Sequence, residues 1–385
     1  MLRRIYINNY RALVNFELRV DSMSLFLGKN GSGKTTVFEV ILKLQKFILG
    51  DPQNDWKYYQ VSELFTSDCL TRWQDSLIQR FELEIEGNGG IYTYTLEVEH
   101  QSRSSQSARM RVENLKFNEQ VLFDFYIKKE QDTIVGQARI GNDNPEHNGL
   151  FLPAFDWSRS GINFARERKD NQRLIWFKKR IQNIFLVQIN PFAMKADSSK
   201  EVSHPSWDMS DYAAWYSYLV QENFNGISQL TAELQKIFKG FDSFQNSQSG
   251  DVKVLSAFFK SPSKVSYKLN ELSEGQKVTI VLYTLLYCIS EDLDCTLCID
   301  EPESFLALPE IQPWLNELME RSQEQKLQFF SISHHPSLIN YLALDSGYWF
   351  ERQDGGTARV EKVTEDSKEG LSLAKLIELR WIYDE

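Results

Sequence analysis

The stretch that decides the fold is Gly28-Lys29-Asn30-Gly31-Ser32-Gly33-Lys34-Thr35, which matches the pattern G-x-x-x-x-G-K-[ST]. The apolar residues 25–27 before it predict a short buried strand, and apolar residues at helical spacing from Val37 to Ile48 predict a helix after it. A glycine loop in this context turns its backbone N–H groups inward, and the helix dipole adds attraction for an anion. We therefore predict a phosphate-binding loop in which Lys34 contacts the β- and γ-phosphates of a nucleotide and Thr35 holds Mg²⁺.

Two adjacent acidic residues, Asp300 and Glu301, follow the apolar residues 296–299. At the carboxyl end of a strand, Asp300 is suited to hold the Mg²⁺ on Thr35, and Glu301 is suited to polarise the water that attacks the γ-phosphate. Because Lys34 and Asp300 are 266 residues apart, we expect their strands to be neighbours in one sheet, with the intervening chain inserted into one nucleotide-binding fold. The alternative is an acidic turn after a core strand.

Two further segments of the C-terminal third carry residues suited to phosphate. Ser273-Glu274-Gly275-Gln276 precedes a strongly apolar helix, and Ser and Gly at a helix N-terminus favour phosphate binding. Ser273 with Gln276 three residues later is also the pattern of an ordinary capping box. His334 follows the apolar residues 329–333, where a histidine is able to contact a γ-phosphate, although a pair of loop histidines is unspecific by itself.

Taken together, these motifs resemble the ATP-binding-cassette superfamily in its SMC, RecF and OLD branch, and the resemblance covers nearly the whole chain. Residues 28–35 are similar to the Walker A motif of that branch, and Leu-Ser-Glu-Gly-Gln (272–276) is similar to its signature motif. Asp-Glu-Pro-Glu (300–303) is similar to its Walker B motif, and Ser-His-His-Pro (333–336) to its switch-histidine segment. The chain departs from the family in lacking a clear Q-loop glutamine, and in showing Phe-Leu-Ala-Leu-Pro (305–309) where the family usually has Leu-His-Pro.

The resemblance implies an Mg²⁺-dependent ATPase with Lys34, Glu301 and His334 as catalytic residues. It implies that Ser273, Gly275 and Gln276 act in trans on ATP held by a second copy, so that the active unit is a head-to-tail homodimer or higher homo-oligomer. It extends the nucleotide-binding loop to Thr36, places Arg11 of Asn-Asn-Tyr-Arg-Ala (8–12) near the nucleotide, and offers Gln188 as a positional candidate for the Q-loop metal ligand.

The composition predicts a soluble globular protein of about one to three domains, with 385 residues of which 42% are hydrophobic. The sequence shows no apolar run long enough for a membrane span, and its four cysteines are too few for a disulfide framework, so we expect a cytoplasmic protein. Cys295 and Cys298 form half of a metal-site pattern, but their spacing along a strand points the thiols to opposite faces. The net charge of −10 argues against an extensive nucleic-acid-binding surface.

The predicted fold class is α/β: a P-loop NTPase head of the ATP-binding-cassette type, in which a mixed sheet carries an antiparallel subsheet and an inserted helical lobe. Residues 1–155 and 251–385 are predicted to form the nucleotide-binding lobe, and residues 156–250 the helical lobe. A period-2 pattern predicts an antiparallel hairpin over residues 81–98. The residues after Pro336 are expected to form a hairpin over residues 348–363 and a last helix. Helices are predicted at 162–182, 209–222 and 227–238, and a polar linker at 245–250.

The same resemblance bears on the biological role. OLD nucleases carry a Toprim domain, and since only 49 residues follow Pro336, we expect this chain to lack one. ATPases of this kind resemble those of bacterial anti-phage systems, in which a separate effector protein acts. The leading hypothesis is ATP-driven dimerisation that gates such an effector or DNA, and the alternative is a RecF-like ATP-dependent DNA-binding clamp in DNA repair.

One segment is a candidate for contact with DNA. Residues 166–180 hold seven cationic and two acidic side chains, a local net charge of +5. A solvated helix face and a phosphate-contacting face both account for this charge.

Overall fold

The structure is a computed structural model that describes residues 1–51, 57–130, 133–261, 263–289, 295–323, 327–352 and 355–363. The described chain forms two compact units. Unit 1 holds residues 1–51, 57–184 and 342–363, and unit 2 holds the described residues between 185 and 341. The predicted lobes with boundaries at 155 and 250 divide the chain at other positions and stay a prediction.

Both units contain helices and strands. In chain order the helices are α1 (Lys34–Leu49), α2 (Val61–Leu64), α3 (Gly161–Phe164), α4 (Gln172–Gln182), α5 (Tyr212–Glu222), α6 (Phe224–Ile237), α7 (Glu274–Tyr287), α8 (Leu308–Gln323) and α9 (Pro336–Ser346). The strands are β1 (Leu2–Asn8), β2 (Phe16–Arg19), β3 (Met23–Gly28), β4 (Ile78–Gly87), β5 (Gly90–His100), β6 (Ala108–Phe117), β7 (Gln120–Glu130), β8 (Thr133–Ile140), β9 (Leu150–Leu152), β10 (Ile184–Val187), β11 (Asp197–Ser198), β12 (Phe241–Ser249), β13 (Val252–Phe259), β14 (Val265–Lys268), β15 (Cys295–Asp300), β16 (Leu327–Ile332), β17 (Gly347–Arg352) and β18 (Ala358–Lys362). No helix of the described residues has both the length and the apolar character that crossing a membrane requires.

Unit 1 contains an antiparallel sheet in the order β2-β1-β4-β5-β6-β7-β8-β9. Alternate residues of β5 are buried, as a half-buried strand requires, and the predicted hairpin over 81–98 is confirmed by the pairing of β4 with β5. Helix α4 covers the buried face of β5. Trp176 stacks on Tyr92 with ring centroids 4.8 Å apart, and Phe177 stacks on Tyr94 with ring centroids 5.8 Å apart. Elsewhere in the sheet, Arg4 of β1 pairs with Glu82 of β4 at 2.7 Å.

A second strand group of unit 1 presents the glycine loop. Strand β3 pairs in parallel with β17, with Gly28 opposite Phe350, and β17 pairs antiparallel with β18, so the predicted C-terminal hairpin is confirmed. Helix α1 then buries an apolar stripe that recurs at helical spacing, as its sequence predicts. The helix ends at Leu49 and is followed by Gly50, whose φ of 91° is a backbone conformation that residues with a Cβ rarely adopt.

Unit 2 is built around the parallel pair β15 and β16, which are buried along their full lengths, with Asp300 opposite Ile332. Parallel strands that are buried on both faces are mostly apolar, and this explains the apolar residues 297–299 and 329–330. Helix α7 is held by its neighbours through two buried bonds: the Trp314 indole of α8 donates to Leu282 O at 2.9 Å, and the Tyr212 hydroxyl of α5 lies 2.7 Å from Thr284 Oγ1.

The structure corrects two predicted segments. The helix predicted at 162–182 is two helices, α3 and α4, because the buried Asn171 organises the chain between them: its amide donates to Arg166 O at 2.9 Å and accepts from Arg168 N at 2.8 Å. The linker predicted at 245–250 is the end of β12 and the turn into β13. Its residues are polar because that part of the strand is exposed. The predicted last helix lies outside the described residues.

Candidate functional site

The phosphate loop connects β3 to α1 in unit 1, as predicted. Gly28, Gly31 and Gly33 all have positive φ, at 132°, 80° and 108°. At Gly28 a Cβ would lie 2.1 Å from Phe350 O, so glycine is required by sterics as well as by its backbone conformation. A Cβ at Gly31 would meet nothing within 4 Å. The loop therefore has open space at its crest and is packed tightly where it leaves the strand.

Lys34 points back into this loop. Its side chain is buried, with 5% of the residue exposed, and Nζ donates to Gly28 O at 2.6 Å and to Lys29 O at 3.0 Å. Ser32 Oγ is also buried and has no hydrogen-bond partner among the described residues. A buried cation and an unsatisfied hydroxyl beside backbone in left-handed conformations are a donor set that fits phosphate oxygens. Thr35 and Thr36 form the first turn of α1, and Lys29 and Asn30 are exposed.

Arg11 lies beside α1. Its guanidinium pairs with Glu39 at 2.6 Å, its backbone N donates to Cys69 O at 2.7 Å, and its φ is +50°. The side chain is about half exposed, at 50%. Near the loop, a Cβ at Gly33 would lie 3.2 Å from Leu13. Arg11 thus belongs to a segment that borders the phosphate loop, and its predicted contact with the nucleotide stays a prediction.

The acidic pair lies at the carboxyl end of β15 in unit 2. Asp300 is the last residue of the strand and is buried, with 4% exposed, whereas Glu301 is exposed. Glu301 has a φ of +52°, which is unusual for a residue with a Cβ. Its backbone N donates to Ile332 O at 2.9 Å, and Ser304 Oγ donates to its Oε2 at 3.2 Å. The turn after β15 is thereby attached to the end of β16.

The sequence did not predict one contact beside the acidic pair, a hydrogen bond between Glu303 and Ser333. Ser333 Oγ donates to Glu303 Oε1 at 2.5 Å and accepts from His335 N at 3.0 Å. Burial raises the pKa of the Glu303 carboxyl, while the bond from Ser333 opposes that shift. His334 is exposed and lies between the two bonded residues Ser333 and His335. Glu303 and Ser333 both belong to the quoted motifs, but no spacing rule pairs positions 30 residues apart.

The signature segment forms the start of α7. Ser273 is exposed, its Oγ accepts from Gln276 N at 3.3 Å, and Gln276 Oε1 accepts from Ser273 N at 3.0 Å. The capping box is therefore present. It uses an acceptor lone pair of the hydroxyl, and a serine hydroxyl also has one proton to donate. A Cβ at Gly275 would lie 3.1 Å from Phe305 O, so the segment is in close contact with the turn after β15.

Gln188 lies just after β10. It is exposed, and its Oε1 accepts from the Trp207 indole at 3.3 Å. Nothing in these contacts assigns it a metal, and its role as Q-loop residue stays a prediction. Cys295 and Cys298 are buried in β15 and form no disulfide, and the described residues contain no group of three His, Cys, Asp or Glu side chains placed to bind a metal ion.

The basic segment is not one continuous cationic surface. The Arg173 guanidinium donates to Gln120 Oε1 at 2.5 Å and lies over the Phe117 ring at 4.5 Å. Lys178 Nζ donates to Asn163 O at 2.9 Å and to a second backbone carbonyl, and Arg180 is buried. Arg166, Lys169 and Lys179 are the members that stay exposed. Much of the charge therefore stabilises unit 1.

Comparison with known proteins gives one family and one fold. The profile described as "AAA ATPase domain" matches residues 1–339. The structure is similar to an SMC head bound to the C-winged helix domain of ScpA, with a TM-score of 0.53 and 12% identity over 98% of this chain and 99% of that one. It is also similar to an SMC head with an extended coiled coil bound to the C-terminal domain of ScpA from Pyrococcus furiosus, with a TM-score of 0.50 and 10% identity over 100% and 99% of the two chains. A comparison with curated proteins gives no match.

Proposed function

Because this chain belongs to the AAA ATPase domain family and has the mixed α/β fold of SMC heads, it is an ATPase, and we propose that it hydrolyses ATP in a site completed by a second copy of itself. The observation that carries nucleotide binding is the loop after β3, where buried Lys34 and the unsatisfied Ser32 hydroxyl sit among glycines with positive φ. Triphosphate oxygens would replace the carbonyls of Gly28 and Lys29 as partners of the Lys34 ammonium.

The acidic residues of unit 2 complete the proposed chemistry. Thr35 and the buried Asp300 offer a hydroxyl and a carboxylate, the oxygen ligands that Mg²⁺ prefers. Bound Mg²⁺ would neutralise phosphate charge as the terminal bond breaks. Glu301 is the proposed general base, because its exposed carboxylate is held by Ser304 and its backbone by Ile332. His334 is the proposed γ-phosphate sensor.

We further propose that Ser273, Gly275 and Gln276 contact the ATP of the second copy, which makes the active form a head-to-tail homodimer. Ser273 supports this role because it is exposed and its cap bond leaves the hydroxyl proton for another acceptor. ATP that binds the closed dimer preferentially would shift the equilibrium from monomer to dimer.

The closed dimer is proposed to gate a separate effector protein, as in the anti-phage systems that the sequence resembles. The similar SMC heads are bound to domains of ScpA in their structures, and this supports a protein partner. Gating of DNA and a RecF-like DNA-binding clamp have less support. In the basic segment, Arg173 and Lys178 donate hydrogen bonds within unit 1, and Arg180 is buried there.

The test separates nucleotide binding from hydrolysis. Lys34→Ala is expected to lose ATP binding, because the side-chain ammonium proposed to contact the terminal phosphates is removed. Glu301→Gln is expected to bind ATP and to lose at least about a hundredfold in hydrolysis rate, the usual size for a catalytic group. Binding is measured with a fluorescent ATP analogue and turnover by phosphate release. Glu320→Ala, an exposed glutamate of α8, is the matched control. Near-normal turnover by Glu301→Gln would refute the assignment of the base.

A further inference from the structure

The turn that carries the proposed base is tied to the end of β16 at two consecutive residues. Glu301 N donates to Ile332 O at 2.9 Å, and Ser333 Oγ donates to Glu303 Oε1 at 2.5 Å. One bond joins the two backbones and the other joins two side chains. Together they fix the direction in which the chain leaves β16 relative to the turn after β15.

The hydrogen bond between Ser333 and Glu303 is shielded from water, so it contributes more to stability than a hydrogen bond at the surface. Ser333 is fully buried, and Glu303 Oε2 is buried without a hydrogen-bond partner among the described residues. A poorly solvated carboxylate is costly unless it accepts hydrogen bonds. The Ser333 hydroxyl therefore stabilises the carboxyl group, and the carboxyl group orients the hydroxyl.

The same hydroxyl also orients the histidine segment. Ser333 Oγ accepts from His335 N at 3.0 Å while it donates to Glu303. The residues before and after His334 are thus joined by a hydrogen bond, from His335 N to the Ser333 hydroxyl. A change at Glu303 would release this hydroxyl and with it the backbone on both sides of His334.

The backbone of the turn is strained where it carries the base. The φ of +52° at Glu301 is a strained conformation for a residue with a Cβ. Such strain persists only when the surroundings hold the residue in place. Here the Ile332 carbonyl holds its N–H, and Ser304 N donates to its carbonyl at 3.1 Å.

From these contacts we propose that Glu303 is a positioning residue for hydrolysis: through Ser333 it couples the turn of Glu301 to the segment of His334, so that both groups face the γ-phosphate in one fixed arrangement. The proposal rests on the roles given to Glu301 and His334 above. Glu303 itself does not touch ATP and takes no proton in the reaction.

The test is a double-mutant cycle on steady-state ATP hydrolysis by the full chain. Glu303→Ala and Ser333→Ala are each expected to lower kcat about tenfold, since each removes the same buried hydrogen bond, and to leave KM for ATP within about twofold. The double variant is expected to lose no more than either single one, because coupled residues are not additive. Glu303→Gln keeps an acceptor for Ser333 and is expected to stay within about threefold of wild type. Glu320→Ala is the control for loss of a glutamate in the same unit.

Three results would overturn the proposal. They are a double variant that loses the product of the two single effects, single variants with wild-type kcat, and a KM that rises in step with the fall in kcat. If Glu303→Ala does not fold, Ser333→Ala and Glu303→Gln still give the split between kcat and KM. The proposed base is tested separately: full turnover by Glu301→Gln would refute the base, whereas non-additivity of Glu303 and Ser333 does not depend on that outcome.

Discussion

The phosphate loop of unit 1 and the acidic turn of unit 2 are organised by different kinds of interaction. The loop is organised by its backbone: three glycines with positive φ shape it, and Lys34 bonds to main-chain carbonyls. The turn combines backbone bonds with side-chain bonds, in which Ser304 holds Glu301 and Ser333 holds Glu303. Backbone requirements appear in a sequence as glycines at fixed spacing. Bonds between distant side chains leave no such pattern.

The largest expected effect tests the backbone half of this comparison. Gly28→Ala places a Cβ only 2.1 Å from Phe350 O. Because this is far shorter than a van der Waals contact, β3 and β17 have to move apart. We expect little folded protein, or a loss of more than about 4 kcal/mol in unfolding free energy, from the clash and the positive φ together. Gly31→Ala is the matched control: it also has a positive φ but meets no atom within 4 Å, so about 1–2 kcal/mol is expected.

Thermal unfolding followed by circular dichroism measures both glycine variants. Equal unfolding temperatures for Gly28→Ala and Gly31→Ala would show that the close approach to Phe350 does not determine the loop, and the backbone half of the comparison would fail.

An effect of intermediate size extends the comparison to a side-chain network in unit 1. Glu113 of β6 is buried, and its carboxylate accepts from Ser160 Oγ at 2.5 Å and from Gly161 N at 2.8 Å. Burial raises its pKa to about 7, and these hydrogen bonds oppose the shift. The folded pKa lies above the unfolded value of about 4.3, so the native state binds the proton more tightly. The stability that results is fully present below the unfolded pKa and is lost as the pH rises through about 7.

Glu113→Gln is therefore expected to flatten the fall in unfolding temperature between pH 5 and pH 8. Glu119→Gln, an exposed glutamate between β6 and β7, should leave the pH dependence as in wild type. Parallel pH profiles for wild type and Glu113→Gln would contradict the role of this carboxyl.

The smallest expected effects concern the basic segment. Ala substitutions at Arg166, Lys169 and Lys179 should each change the unfolding free energy by less than about 0.5 kcal/mol, because these side chains are exposed. Arg173→Ala should cost about 1–2 kcal/mol, since it removes the bond to Gln120 and the contact with the Phe117 ring. Urea denaturation distinguishes the two groups. Similar losses at all four positions would show that the segment is not divided into structural and exposed cations.

Features that depend on local sequence patterns were predictable, and features that depend on contacts between distant residues were not. The strand, loop and helix around Lys34 were predictable because glycine spacing and helical periodicity are local patterns. Asp300 and Glu301 were predictable because a buried strand ends there. The break at residues 165–171 was not, because it depends on Asn171 bonding to its own loop. The last residues of β12 were not predicted as strand, because both of their faces are exposed and their sequence is polar without alternation.

The hydrogen bond between Glu303 and Ser333 was not predictable from the sequence. Both residues belong to the quoted motifs, but neither motif indicates that the two side chains are in contact. Their contact follows from the register of β15 against β16, which places Asp300 opposite Ile332. A register is a property of two strands together, so a single sequence does not display it.

The central claim is that each ATP site is completed by a second copy, and mixing two inactive variants tests it most directly. Ser273→Arg keeps its own phosphate loop, and Lys34→Ala keeps its own signature segment. Each should be inactive alone while unfolding near the wild-type temperature. A one-to-one mixture should recover about a quarter of wild-type ATPase activity, because half of randomly paired dimers are mixed and each mixed dimer has one intact interface. No recovery on mixing, or full activity of Ser273→Arg alone, would contradict a site shared between two chains.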